Sequence, residues 1–254
     1  MRKLTIVCAL TISLLATSCI AFGKGKTLEA TGNDKTVLLT ENVINELEVE
    51  AGNNFGASQS CIINVSNGDK PSVSITADEA LIACLRSKLH KNELSIKFRD
   101  EKGNSVGIRN GLIVINLTMP EGIDFCIEAG GQVTIKSEAA AFDKFKLECA
   151  GSASSDIKNL TCTELDIDLA GSCGMQLAGK ADKVEIDCAG SATVLARDLI
   201  AREVSIDAAG SATIEVHASE SIDIDTAGSA TVNYYGNPSR RSIDTAGSAS
   251  INQK

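Results

Sequence analysis

The side chains that could do chemistry fall in one column of the sequence. Glu148, Asp168, Asp187, Asp207, Asp225 and Asp244 each stand three places before a glycine: Gly151, Gly171, Gly190, Gly210, Gly228 and Gly247. This spacing puts one carboxylate in each structural repeat and makes a ladder of like charge. Rungs stacked at strand distance, about 4.8 Å apart, repel by about 1 kcal/mol per pair in water. Such a ladder invites a counter-ion, and Ca²⁺ between rungs is the first chemistry it suggests. One carboxylate per rung falls short of the roughly six to eight oxygens that Ca²⁺ takes. The ladder therefore reads first as a solvated edge, with no metal or other cofactor assigned.

Other reactive groups do not assemble into a catalytic set. The chain has two histidines, His90 and His217. His217 falls where other repeats have Ala178 and Arg197, which marks it as a surface side chain. No motif brings Ser, His and Asp, or Cys and His, together. Carboxylates repeated at one spacing do not give the paired acid and base that glycoside hydrolysis requires. Tyr234-Tyr235 is the one adjacent aromatic pair in a chain with two Tyr, six Phe and no Trp. In a strand one of the two must face outward, where it offers a contact. Gly236-Asn237-Pro238 follows as a turn, so the pair reads first as a flank or end cap.

These residues are positioned by a repeat. Ala-Gly-Ser followed by Ala or Cys occurs six times, and Ala129-Gly130-Gly131 is a degenerate earlier copy. Counted from Gly130, the glycines advance by 21, 20, 19, 20, 18 and 19 residues. A period near twenty, with short β-like runs and one glycine turn each, predicts a solenoid. Four places before each glycine stands Leu147, Ile167, Ile186, Ile206, Ile224 or Ile243. Alternation along a strand then puts the Ile column inside and the acidic column outside. The glycine permits a corner that a Cβ would obstruct. The fold expected is all-β: a single-stranded parallel β-helix with coils of about 20 residues, right-handed by the usual rule for crossovers. Coils that vary by only three residues leave no room for the long loops of polysaccharide-acting β-helices.

The nine cysteines do not form a framework. Cys8 and Cys19 lie in the leader region, and seven remain: Cys61, Cys84, Cys126, Cys149, Cys162, Cys173 and Cys188. An odd number cannot all pair within one chain. Cys149 and Cys188 share a column with Leu169 and Ala208, so they are expected inside the coil as small apolar side chains.

The first residues read as an export signal. Arg2-Lys3 precede an apolar run from Leu4 to Ala16, too short to span a membrane. Ala16-Thr17-Ser18-Cys19 resembles a bacterial lipobox, with Ala16 in place of the usual leucine. Residues 1–18 are assigned to a signal peptide, Cys19 to lipidation, and residues 19–35 to a polar tether. Residues 36–118 follow as an irregular β-rich part, with a short helix expected from Asp78 to Leu89. Residues 119–252 are the regular coils. Without Arg2 and Lys3 the chain carries 22 basic and 33 acidic residues, a net charge of -11 that repels phosphate backbones and excludes nucleic acid as a partner.

The pattern as a whole resembles the putative auto-transporter adhesin, head GIN domain family, found largely as Bacteroidetes envelope proteins. The resemblance covers residues 36–252. It is carried by Leu47-Glu48-Val49-Glu50, by the run from Val73 to Leu81, by Glu93-Leu94-Ser95-Ile96, by the run from Val114 to Pro120, and by the Gly-Ser-Ala coils. It implies a right-handed β-helix and offers no catalytic residues to carry over. The reading is a non-catalytic outer-membrane lipoprotein, a rigid β-helix for adhesion or envelope contacts. Its partner would be a protein or glycan in the envelope or on a host surface. The membrane is engaged through the lipid, and end-to-end or edge packing with a second copy is expected at the open last coil. The alternatives are a periplasmic sensing or signalling partner, and a Ca²⁺-binding or polysaccharide-acting β-helix.

Overall fold

The computed structural model describes residues 26–50 and 60–254. The signal segment and Cys19 lie outside the described residues. The first part of the chain holds β1 (Lys26–Leu28), β2 (Asp34–Thr40), β3 (Glu46–Glu50), β4 (Ser60–Asn67), β5 (Ser72–Asp78), the helical turn α1 (Glu79–Ile82), β6 (Leu85–His90), β7 (Glu93–Phe98), β8 (Val106–Ile108) and β9 (Leu112–Met119). The coils then run through β10 (Phe125–Gly131), β11 (Val133–Ser137), β12 (Ala140–Ala141), β13 (Lys144–Gly151), β14 (Ser154–Gly171), β15 (Gly174–Gly190), β16 (Thr193–Gly210), β17 (Thr213–Gly228), β18 (Thr231–Tyr235), β19 (Arg240–Gly247) and β20 (Ser250–Gln253).

The coils stack as a parallel β-helix, with three faces through most of its turns. One face carries β7, β3, β10, β13, the later halves of β14 to β17, and β19. A second face begins after the Gly-Ser corner and runs β9, β4, β11, the earlier halves of β14 to β17, β18 and β20. A short third face starts at β12. Register is kept glycine on glycine: Gly131 pairs Gly151, then Gly171, Gly190, Gly210, Gly228 and Gly247 in turn. Gly131, not Gly130, thus holds the corner of the degenerate first copy. Gly130 takes the place of the alanine, which shortens the first step to that of an ordinary coil.

The corner demands glycine on two counts. Gly190 has φ 127°, a conformation close to glycine-only, and a Cβ there would lie 2.6 Å from the Gly171 carbonyl oxygen. The ladder continues through the corner because the Ser191 N–H donates to that same oxygen at 2.8 Å. Inside, Ile167, Ile186, Ile206 and Ile224 are buried, and each stacks on its counterpart. Ile243, on the last described coil, is 43% exposed. Phe125, Phe142 and Phe145 stack at 4.8 to 6.5 Å where the first coils begin. Cys149 and Cys188 are buried, as their column requires.

The first hundred residues are less irregular than the sequence suggests. β3 with β4, and β7 with β9, are coil segments of the same helix. Their order in space differs from their order in the chain: β7 covers β3 on one side, and β10 pairs β3 on the other. The stack is closed at this end by antiparallel strands, β6 on β7, and β5 and then β2 on β9. Residues 26–28 pair with β8, so ordered structure reaches back into the segment expected to be a tether. The helix expected from Asp78 to Leu89 is a single turn over Glu79–Ile82. Leu85–His90 forms a hairpin with β7 through Lys91, whose φ is 55°. Backbone pairing to an otherwise open strand outweighs a short amphipathic stripe there.

Asp78 does cap the turn, and it does more. Its side chain accepts from Ala80 N at 2.9 Å, and from Thr31 N at 2.7 Å and Gly32 N at 3.0 Å. Burial alone would raise its pKa, but these hydrogen bonds hold the carboxyl below its ordinary value. At the far end, Arg241 and Gln253 fall in the inward columns of the last coil, paired to Ile222 and Tyr234. Arg241 Nη1 donates to Gln253 Oε1 at 3.0 Å, and Tyr234 Oη lies 3.3 Å from the same oxygen. These three side chains make a polar lid over the apolar cross-section.

Candidate functional site

The first face turns the acidic column into a surface. Glu128 pairs Glu148 on one side and Glu48 on the other. The ladder thus runs Glu48, Glu128, Glu148, Asp168, Asp187, Asp207, Asp225 and Asp244, two carboxylates longer than the column aligned on the Gly-Ser motif. A second outward column lies two residues earlier and holds Glu46, Cys126, Lys146, Asp166, Glu185, Ser205, Asp223 and Ser242. Sequence reasoning missed that column. Its signal was the acid-Ile-acid triplet, repeated as Asp166-Ile167-Asp168, Glu185-Ile186-Asp187 and Asp223-Ile224-Asp225.

The ladder is not uniformly solvated. Glu128, Glu148, Asp168 and Asp187 are half-buried between neighbouring rungs, whereas Asp207, Asp225 and Asp244 are exposed. Cations neutralise part of it. Lys97 binds Glu48 at 2.6 Å, and Arg99 binds Glu50 at 2.6 Å. Lys146 holds Glu148 at 2.9 Å, Asp168 at 3.0 Å and Asp166 at 3.5 Å. Burial works against the charge on Lys146, yet this carboxylate cage drives its pKa upward. Glu128, Asp187, Asp207 and Asp225 make no ion pair among the described residues.

The unpaired rungs show the electrostatic consequence. Burial, then the charges of Glu148, Glu46 and Glu48, push Glu128 up to about 7. Burial, then Asp168 and Asp207, push Asp187 up to about 6. Glu46 and Asp166 are raised as well, chiefly by burial, and the more exposed Asp207 and Asp225 are raised by partial desolvation and then by neighbouring carboxylates. Part of this face is therefore protonated near neutral pH.

Cys126, Glu128 and Glu148 bring three ligand atoms within 4.8 Å of one another. A thiol beside two carboxylates suits a borderline ion such as zinc better than calcium. Burial, with the nearby carboxylates, pushes the Cys126 thiol upward and keeps it protonated, and Lys146 already occupies Glu148. The arrangement supports charge neutralisation more directly than metal binding.

The remaining predicted residues do not converge. Tyr234 is buried in the core column, while Tyr235 faces outward with the Arg197 guanidinium 5.8 Å from its ring centroid. The pair divides inward and outward as a strand requires, one coil from the chain's end. His217 is half-buried on β17 beside Tyr235, and His90 is exposed on β6. Gly151, Gly171, Gly190, Gly210, Gly228 and Gly247 are corners and not ligands.

Comparison with known proteins agrees with this architecture. The chain superposes on a putative adhesin from Bacteroides fragilis NCTC 9343 with TM-score 0.76 at 21% identity, covering 89% of this chain and 100% of that one. A putative lipid binding protein from Parabacteroides distasonis ATCC 8503 matches with TM-score 0.64 at 24% identity, over 90% of this chain and all of that one. A putative adhesin from the same Parabacteroides strain matches with TM-score 0.64 at 18% identity, over 90% of this chain and 100% of that one. These likenesses show the fold. Searched against curated proteins, the chain has no match. The family model described as "Putative auto-transporter adhesin, head GIN domain" matches residues 53–238. With stacked coils, a filled interior and a family match over more than half its length, the chain belongs to the putative auto-transporter adhesin, head GIN domain family.

Proposed function

We propose that this protein is an exported, lipid-anchored outer-membrane module that holds a rigid β-helix away from the membrane for non-catalytic contact. The observation that carries the reading is the in-register stack, glycine on glycine, which fixes outward side chains one strand spacing apart on flat faces. Specificity then resides in outward columns, and nothing in the regular coils needs to move. The family description and the adhesin-like neighbours support this reading. The Parabacteroides neighbour described as lipid-binding suggests a second use of the fold. In this chain the interior columns are filled by Ile, Leu, Val, Phe and Cys side chains, so a lipid would have to lie outside.

Anchoring rests on Arg2-Lys3, the apolar run to Ala16 and the lipobox-like Ala16-Thr17-Ser18-Cys19. Metabolic labelling with a clickable fatty acid tests it. The account expects label on the native chain and none on Cys19→Ala, which should move from the membrane to the soluble fraction. Equal labelling, or equal fractionation, of the two chains would contradict it. The periplasmic sensing alternative shares the anchor and differs only in which side of the membrane holds the coils.

A further inference from the structure

The regular stack is broken where the third face begins. The coil made by β3 and β4 has no third strand, because the chain turns back at Asn67 into β5. The crossing from β9 to β10 passes this gap through Pro120 and Glu121. Asn67 clamps the crossing: its Nδ2 lies 3.3 Å from the Met119 and Pro120 carbonyl oxygens and 3.1 Å from that of Ala141. Its Oδ1 accepts from Ala141 N at 2.6 Å. One carboxamide thus imitates a strand neighbour for β12 and closes that edge.

Beside the clamp lies a groove of about 650 Å³, within the ~300–1,000 Å³ typical of small-molecule sites. Its walls include the small side chains Ala139, Ala140 and Ala141. Ser137 also borders it and stands in a core column, paired to Ile157. Its buried Oγ has no hydrogen-bond partner among the described residues. Ser155 and Thr226 share that condition but do not border the groove. Around the rim, Lys136 and Glu121 make no ion pair among the described residues. Asn64 and Asn159 spend their Nδ2 groups on Asn116 Oδ1 and Glu138 O, which leaves both Oδ1 atoms as acceptors. Methyl groups below and mixed donors and acceptors above match a ligand with a C–H face and hydroxyl edges.

We infer that this groove binds a short neutral oligosaccharide. A strand-like peptide is disfavoured because Asn67 already fills the β12 edge. An anionic sugar gains no net attraction at the rim, where Glu121 offsets Lys136 and Lys158 already pairs Glu138 at 3.1 Å. The inference deepens the contact-module reading and rests on it for its biological use. Binding is measured on the purified chain and display on cells, so the two fail separately.

The test is calorimetric titration of the full chain with maltotriose, chitotriose and sialyllactose. Binding of at least one neutral trisaccharide in the millimolar range or tighter is expected, with sialyllactose weaker. Lys136→Ala should weaken that binding at least about tenfold, the scale of one lost charge-assisted hydrogen bond. Ala139→Trp, which fills the groove from an exposed position, should abolish it. Thermal melts matching the native chain would show that both variants fold. Should Ala139→Trp fail to fold, Lys136→Ala decides alone. No heat with either neutral sugar, preference for sialyllactose, or native affinity in Lys136→Ala would overturn the inference.

Discussion

At the scale of single residues, the protein is organised around carboxylates kept closer together than water alone would favour. Glu128 and Asp187 sit at about 7 and about 6, above ordinary values of 4.5 and 3.8. The folded chain therefore binds these protons more tightly than the unfolded chain. Their ionisation destabilises the fold fully above about pH 7, and stability returns as pH falls through 7 and 6, levelling off near the unfolded values of about 4. Asp78 and Glu48 act oppositely, since their lowered values contribute stability that is lost in stronger acid. Thermal melts should thus show a higher Tm near pH 5 than near pH 8. Glu128→Gln with Asp187→Asn should flatten that rise. Asp187→Asn alone should raise stability at about pH 8 by up to about 1 kcal/mol, the repulsion removed. Lys146→Met should do the reverse, because it leaves Glu148, Asp166 and Asp168 without their shared cation. The acidic column was legible because its spacing is fixed by the glycines. Its extension to Glu48 and Glu128 was not, because those rungs come from strands that carry no Gly-Ser motif.

At the scale of elements, the corners and the end caps carry different burdens. Gly190→Ala forces a Cβ toward the Gly171 carbonyl from a nearly glycine-only conformation, and should cost about 1–3 kcal/mol from backbone strain plus the clash. Gly122→Ala, at φ 70° with open space around it, should cost only about 1–2 kcal/mol. Equal losses in chemical denaturation would show that coil approach is not what selects glycine at the corners. Asp78→Ala should cost about 0.5–2 kcal/mol by removing the acceptor shared by the Thr31, Gly32 and Ala80 N–H groups. Its signature would be earlier hydrogen exchange of β1 and β2, with β14 to β16 unchanged. The coils could be read from sequence because inward Ile and outward Asp alternate at a constant step. The strand at Leu85–His90 could not, since its stability comes from pairing with β7 and its own side chains are mostly exposed. The interleaved order of β7, β3 and β10 was equally hidden, because the same alternation fits any stacking order.

At the scale of the whole molecule, the β-helix is a stack with two differently finished ends. Antiparallel strands close the first, and Arg241, Gln253 and Tyr234 lid the second. An inward charge on an edge strand disfavours strand addition. Arg241→Val combined with Gln253→Val should therefore increase self-association in sedimentation velocity relative to the native chain, and an unchanged profile would refute the lid. What remains is a rod whose chemistry is all on its outside, as display requires. The most direct test is labelling of intact cells with a membrane-impermeant lysine reagent, read on Lys183 and Lys254, with a periplasmic protein as lysis control. The account predicts labelling of both lysines in the native protein on unbroken cells. Labelling that appears only after the outer membrane is opened would contradict it and place the coils in the periplasm.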